Sequence, residues 1–193
     1  MWRERGKRAS PPPVYGGRLP ERRSGCEMEL EFEDLTPENV PALYEIERGV
    51  PEGFVLTSEE LIEVNRYGFE HNCTGHTFLI RLGGRCIGAI LIGEALPWPT
   101  DPPEVAREPF YRLMSFIIDR RLRGRGIGGE ALEQAIERVF RDFGVRPLVL
   151  GCHRDNVRAA RFYKRHGFTP TAYTEGDDIY YLRYPEYGSG AVL

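Results

Sequence analysis

The residues with the clearest chemical potential are the glycines and arginines of Arg123-Gly124-Arg125-Gly126-Ile127-Gly128-Gly129. Before them runs an apolar segment with Leu113, Met114, Phe116, Ile117 and Ile118. After them a helical pattern carries one apolar stripe through Ala131, Leu132, Ala135, Ile136, Val139 and Phe140. Strand, glycine-rich turn and helix in that order make an anion site. The first amides of a helix have no intrahelical partner, and the positive end of its dipole points the same way, which favours a phosphate. Glycines at 124, 126 and 128 let the backbone approach such a group closely. Amides from Arg123 to Gly129 are expected to point at it, with the neighbouring arginines adding charge. Downstream, Asn156 and Tyr163 stand two helical turns apart, so both side chains can face one cleft.

Several phosphate-binding motifs share this outline. A P-loop needs Lys-Ser/Thr after its glycines, and here Gly129-Glu130 follows. A dinucleotide fingerprint needs an acid at the end of the next strand, and that strand ends Leu150-Gly151-Cys152. The third possibility fits every residue. Arg123-x-x-Gly126-x-Gly128 after an apolar strand resembles the acetyl-CoA signature of the GNAT superfamily of N-acetyltransferases. Asn156-x-x-Ala159-x-x-Phe162-Tyr163-Lys164-x-x-Gly167-Phe168 is similar to that family's second block. A solvated turn, a helix cap at Asn156 and a core tyrosine at Tyr163 are the plain alternatives for these residues taken singly.

The resemblance extends over residues 28–184 and implies the GNAT-like acyl-CoA N-acyltransferase fold. It implies acetyl-CoA as co-substrate, no metal, and direct transfer of the acetyl group to an amine with no acyl-enzyme. Phe116 and Ile118 would pair along the pantetheine arm like an extra strand, and the Ile118 N–H would stabilise the oxyanion. Arg123, Gly124, Arg125, Gly126, Ile127, Gly128 and Gly129 would cradle the pyrophosphate. Asn156 would contact pantetheine, and Tyr163 would protonate the departing thiolate. Within the superfamily, MSFIIDRRLRGRGIG and LGCHRDNVRAARFYKRHGF look nearest to bacterial branches acting on polyamines and other small amines. The implied acceptor is a small primary amine. A protein N-terminus or lysine, or a non-catalytic acyl-CoA-binding role, are the alternatives.

Composition narrows the classes. At 193 residues, 41% hydrophobic and 28% charged, the chain suits one globular domain of residues 28–193. Residues 1–25 hold seven Lys/Arg and two Glu, a net of +5 within a total of −3, so residues 26–193 carry −8. An acidic body argues against nucleic acid and for a cationic partner. Residues 1–27, rich in Arg, Pro and Gly, are expected to be a disordered extension, with Met28 opening the folded unit. No apolar stretch is long enough to span a bilayer, and no secretory signal opens the chain. Four cysteines without CxxC spacing (Cys26, Cys73, Cys86, Cys152) read as free thiols of a cytoplasmic protein, monomeric or homodimeric. His71-x-Cys73-x-x-His76 lacks the further ligand that a zinc site needs.

The elements that must position these groups follow from period and punctuation. Met28, Leu30 and Phe32 alternate as a strand. Thr36-Pro37 opens a helix to Gly49, and Ser58-Glu59-Glu60 caps a second reaching Glu70. Residues 77–82 and 85–91 form a hairpin about Gly83-Gly84. Residues 95–109, with five prolines, are expected to be irregular. A strand over 110–119 and a helix over 128–143 flank the glycine turn. The apolar strand 147–152 belongs at the centre of a sheet. A helix from Asp155/Asn156 to His166 and a hairpin over 168–184 complete a mixed α/β sheet of order β-α-α-β-β-β-α-β-α-β-β. Candidate bases are Glu94, Glu108, His153 or a water relay. Trp98, Tyr111, Glu175, Asp177 and Asp178 are candidate walls of an amine site. Cys152, in an apolar strand, reads as inert packing.

Overall fold

The structure is a computed structural model describing residues 29–185 apart from residue 52. The expected extension 1–27 and the start at Met28 lie outside the described residues.

The patterned segments become β1 (Glu31–Asp34), α1 (Pro41–Tyr44), α2 (Ser58–Glu70), β2 (Gly75–Leu82), β3 (Arg85–Glu94), α3 (Pro103–Arg107), β4 (Tyr111–Ile118), α4 (Ile127–Phe143), β5 (Leu148–His153), α5 (Val157–Arg165), β6 (Thr169–Glu175) and β7 (Asp178–Arg183). The seven strands form one sheet of order β1-β2-β3-β4-β5-β7-β6. Only the β4–β5 pair is parallel. The expected order recurs with one addition, α3.

The differences have local causes. The first helix is expected from Pro37, but Pro41 has no N–H to give the carbonyl four residues back, so the helix starts at Pro41 instead. Thr36 does not cap it; its N–H donates to Asn39 Oδ1, and Asn39 Nδ2 donates to the Asp34 carbonyl. The α2 cap is Thr57, one residue before the expected Ser58. Its hydroxyl accepts from the Glu60 N–H at 3.1 Å, and the Glu60 carboxylate accepts from the Thr57 N–H at 2.8 Å. The proline-rich segment contains a five-residue helix, because Pro103 sits at a first turn where no N–H is needed. Its Val105 is buried against Phe110, Val149, Tyr180 and Leu182.

The sheet has a packed layer on each face. On one face α4 buries Ala131, Leu132, Ala135, Ile136 and Val139 against Phe78, Ile90, Leu113 and Leu150, with Tyr163 and Phe168 in the same core. On the other, Leu43 of α1 and Leu61 of α2 cover Leu79, Ala89, Leu91 and Ile117. Alternation along β4 and β5 divides their side chains between these layers.

One pairing is incomplete. β4 and β5 are in register only at Tyr111↔Leu148 and Arg112↔Val149. Beyond those two pairs the strands part. Just there β4 carries an extra residue, Met114, as the β3 partner jumps from Ser115 to Leu113. β4 keeps its ladder to β3 as far as Gly88↔Ile118, so the opening lies wholly on its β5 side.

The β3–β4 contact beside the opening is tight. A β-carbon on Gly88 would lie 2.4 Å from the Ile117 carbonyl oxygen and 2.9 Å from Ile118 Cδ1. Gly88→Ala is expected to cost about 1–3 kcal/mol of stability by forcing these strands apart. Urea denaturation checks this, with a midpoint equal to wild type counting against it.

Candidate active site

The gap between β4 and β5 opens into a cleft of about 650 Å³. Phe116 and Ile118 form its β4 wall, Arg123, Gly124, Gly126, Gly128 and Gly129 its turn, and Asn156 and Tyr163 its α5 wall. Nine of the residues singled out in the sequence therefore meet in one place. Arg125 and Ile127 do not line it: Arg125 is exposed, and Ile127, the first residue of α4, drops into the core. Both still contribute backbone to the turn.

Backbone directions favour an extended ligand along β4. The Asp119 N–H donates to Ile87 on β3, and the Ile118 carbonyl instead accepts from Arg123 Nε at 2.9 Å. N–H and C=O of one strand residue point to the same side. The Ile118 amide thus faces the gap, where β5 no longer supplies a partner.

The turn owes its shape to glycine. Gly124 and Gly126 hold φ of 80° and 82°, in the left-handed region that side chains avoid. Not every amide of the turn is free, however. The Arg123 N–H is bonded to Arg120 and the Gly129 N–H to Gly126, so the unpartnered amides among the described residues run from Gly124 to Gly128.

The arginines of this stretch serve the scaffold. Arg123 donates Nε to Ile118 and its terminal nitrogens to the carbonyls of Arg48 and Gly49, tying the turn to the segment between α1 and α2. Arg120 pairs with Glu47. Arg121 pairs with Asp119, which is fully buried and also accepts the N–H groups of Arg121 and Glu47. The Arg121 guanidinium holds the Asp119 carboxyl well below the usual carboxylate range, against the burial that would raise it.

On α5, Asn156 caps the helix, its Oδ1 accepting from Ala159 at 3.1 Å. That cap leaves its amide NH₂ for a ligand, so the structural and ligand-binding readings coexist. Tyr163 is nearly buried between Phe162 and Phe168, and burial pushes its phenol up, holding it neutral. Burial and then the Asp178 carboxylate push the Cys152 thiol up to about 11. It is a thiol, and a poor nucleophile, at neutral pH.

Of the candidate bases, only His153 lines the cleft. Its Nδ1 accepts from the Asp155 N–H at 3.2 Å, so the neutral ring carries its proton on Nε2. Its ring stacks on Phe54, 4.9 Å between centroids. Glu94 turns back to the Thr74 N–H, and Glu108 follows α3. Trp98 lies over the Arg112 guanidinium, and Tyr111 is in the core with its hydroxyl on the Gly144 carbonyl. Neither lines the cleft: Tyr111 stands within the two-pair junction, where the strands are still closed, and Trp98 follows the end of β3. Asp178 is opposite His153 on β7. Burial, above all, raises its carboxyl pKa. His76 pairs with Asp34 while His71 stacks on Tyr67, so the His71-Cys73-His76 spacing does not converge. Among the described residues no three metal-ligating side chains gather.

Several lining residues carry no signal in their own sequence surroundings. Val50, Phe54 and Val55 arrive from an irregular segment. Phe162 and His166 had a usable signal, since Ala159, Phe162, Tyr163 and His166 recur at helical spacing.

Residues 40–168, about two thirds of the chain, match the acetyltransferase (GNAT) family. The chain belongs to that family. As a GNAT protein it is an acetyl-CoA-dependent N-acetyltransferase. Its fold is shared with an acetyltransferase from Thermus thermophilus (TM-score 0.59, 22% identity, covering 81% of this chain and 97% of that one). It is shared with the PaiA N-acetyltransferase of Thermoplasma acidophilum, solved in complex with coenzyme A (0.58, 17%, 81% and 99%). It also resembles the ribosomal-protein-S18-alanine N-acetyltransferase of Escherichia coli (0.57, 17%, 86% and 99%). No curated protein matches the chain in sequence. No helix among the described residues is long and apolar enough to cross a membrane.

Asp119 ties the glycine turn of this GNAT protein to the segment after its first helix, so its charge is expected to show in stability. A carboxyl whose folded pKa is depressed stabilises the fold above its unfolded value, about 3.9, and that contribution is lost as pH falls through the lower folded value. Asp119→Asn should lower stability at pH 7 by about 1–3 kcal/mol and flatten the acid-side loss. Melting temperature against pH measures this; parallel curves for the two proteins would remove the assignment.

Proposed function

We propose that this protein transfers acetyl from acetyl-CoA directly to a small primary amine, with Tyr163 as general acid. The carrying observation is the chemistry on the face of the sheet away from α4. Leu148, Leu150 and Cys152 of β5 point into the α4 layer, so Gly151 and His153 point the other way. There Gly151 lines the cleft and is exposed, and a β-carbon on it would lie 3.2 Å from Asp178 Oδ2. Glu175 and Asp177 stand close enough to raise the Asp178 pKa further. An acidic rim beside a floor without a side chain suits a compact cation. It leaves the α4 face of the cleft to acetyl-CoA.

Protons and electron pairs balance across the transfer. Asp178, with its raised pKa, takes a proton from the ammonium. The freed amine attacks the thioester carbonyl, whose oxygen becomes an anion against the Ile118 N–H. Collapse breaks the C–S bond, and the neutral Tyr163 phenol gives its proton to the departing thiolate. The amide nitrogen releases its extra proton to solvent, and through solvent Asp178 gives up the proton it took as Tyr163 regains the one it lost. Phe116 and Ile118 hold the pantetheine, the amides of the turn hold the pyrophosphate, and Asn156 donates its NH₂ to the arm.

Tyr163→Phe should lower kcat by about a hundredfold with KM for acetyl-CoA nearly intact, read by thiol release; unchanged turnover would sink the role. Asp178→Asn should reduce kcat/KM for the amine about tenfold or more, again sparing acetyl-CoA affinity. A panel of spermidine, amino acids, aminoglycosides and N-terminal or lysine peptides tests the acceptor class. Turnover confined to peptides would replace the small-amine reading, and CoA binding with no thiol release for any amine would replace the enzymatic one.

A further inference from the structure

A phosphate in this cleft needs positive charge, and the arginines preceding and within the turn are engaged elsewhere. Arg120 and Arg121 face Glu47 and Asp119, and Arg123 is spread over three carbonyl oxygens. Arg125 stands outside the lining. On the opposite wall, at the end of α5, is His166. We propose that His166, aimed by Glu133 and Arg183, donates from Nε2 to the pyrophosphate of the acyl-CoA. The inference rests on the reading of this cleft as the acyl-CoA site.

The ring is fixed from several sides. It leans on Phe162 with 4.6 Å between centroids, and it lines the cleft. It lies over the first turn of α4: a β-carbon on Gly129 would be 2.9 Å from its Cε1 and 3.0 Å from its Nε2. Nδ1 is 2.9 Å from Glu133 Oε1. Glu133 is clamped by Arg183, whose Nη1 and Nη2 donate to its two oxygens at 3.0 and 2.8 Å. Burial raises the Glu133 pKa, but the hydrogen bonds from His166 and Arg183 outweigh it and keep the carboxylate ionised. A carboxylate only accepts, so Nδ1 carries hydrogen. Nε2 has no partner among the described residues and lies over Gly129, the residue that follows the free amides of the turn.

With Nδ1–H given to Glu133, Nε2 can donate only from the doubly protonated ring, so the proposed contact sets an imidazolium between the Glu133 carboxylate and the phosphate. The contact is then charge-assisted. Arg158 and Arg165 also border the cleft, yet neither is held by a carboxylate among the described residues. Glycine at 129 acquires a reason beyond backbone approach: any side chain there would push the imidazole off the turn. Glu133 is a positioning residue in this scheme, touching the ligand only through His166.

The test compares CoA, 3′-dephospho-CoA and pantetheine as competitors of acetyl-CoA for the full-length wild type, His166→Ala, Glu133→Gln and the double variant. His166→Ala is expected to weaken CoA and 3′-dephospho-CoA equally, by about tenfold, and to leave pantetheine unchanged. Glu133→Gln should reproduce part of that loss, and the double variant should lose no more than His166→Ala alone. A merely structural histidine would weaken all three ligands together, which would overturn the inference. A loss for CoA but not for 3′-dephospho-CoA would overturn it as well, moving the contact to the 3′-phosphate. Failure of the wild type to bind any of the three would instead remove the acyl-CoA reading of the cleft.

Discussion

The structure depends on a shortage of hydrogen bonds. β4 and β5 share two residue pairs and then separate, while every other neighbouring strand pair is matched at four or more positions. Parallel strands buried between helical layers normally run paired along their length, since an unpaired buried amide costs free energy. Here α4 holds the diverging strands from one face, and α1 with α2 closes the β4 side of the other. The extra residue at Met114 bends β4 where it must leave its partner. The Phe54–His153 stack then spans the gap from the helical side. The cleft is this shortage made permanent.

Charge is arranged around the same opening in two tiers. Asp119, Arg121, Arg123 and Glu47 form a rigid collar beneath the glycine turn, fixing its height against the segment between α1 and α2. The groups proposed to face acetyl-CoA and the amine come from the other side, on α5 and β7. In that reading, binding chemistry and turn geometry belong to different residues, and the arginines clustered at the turn serve the geometry. An arginine next to a phosphate-binding glycine is no guide to what its guanidinium touches.

The fold was legible because most of its signals are local. The stripe on α4, the Gly83-Gly84 hairpin and the apolar β5 each specify their element from a few neighbouring residues. Pro41 and Pro103 misled for one reason: a proline that ends one helix can begin another, and the choice depends on what precedes it. At the site, Asn156 and Tyr163 were readable from helical spacing. Arg123 was not, because its partners at residues 48, 49 and 118 are set by tertiary packing. Phe54 reaches the cleft from a segment with no periodic pattern toward it, so only the folded chain brings it there. Trp98 and Tyr111 were drawn to the site by their chemistry, and the two-pair junction separates them from it.

The unpaired side of β4 has a consequence for the protein's behaviour among other proteins. Bare strand edges recruit foreign strands, and proteins usually blunt them with charge, proline or a covering helix. This edge bears Phe116 and Ile118, with neither charge nor proline. Its protection is position: it lies inside the sheet, flanked by β5 and roofed by α5, where a passing polypeptide has no room for side chains on both faces. A slender amide-bearing arm fits where a peptide does not. The enzyme can therefore carry an adhesive edge, because the gap sorts its visitors by thickness before any residue reads their chemistry.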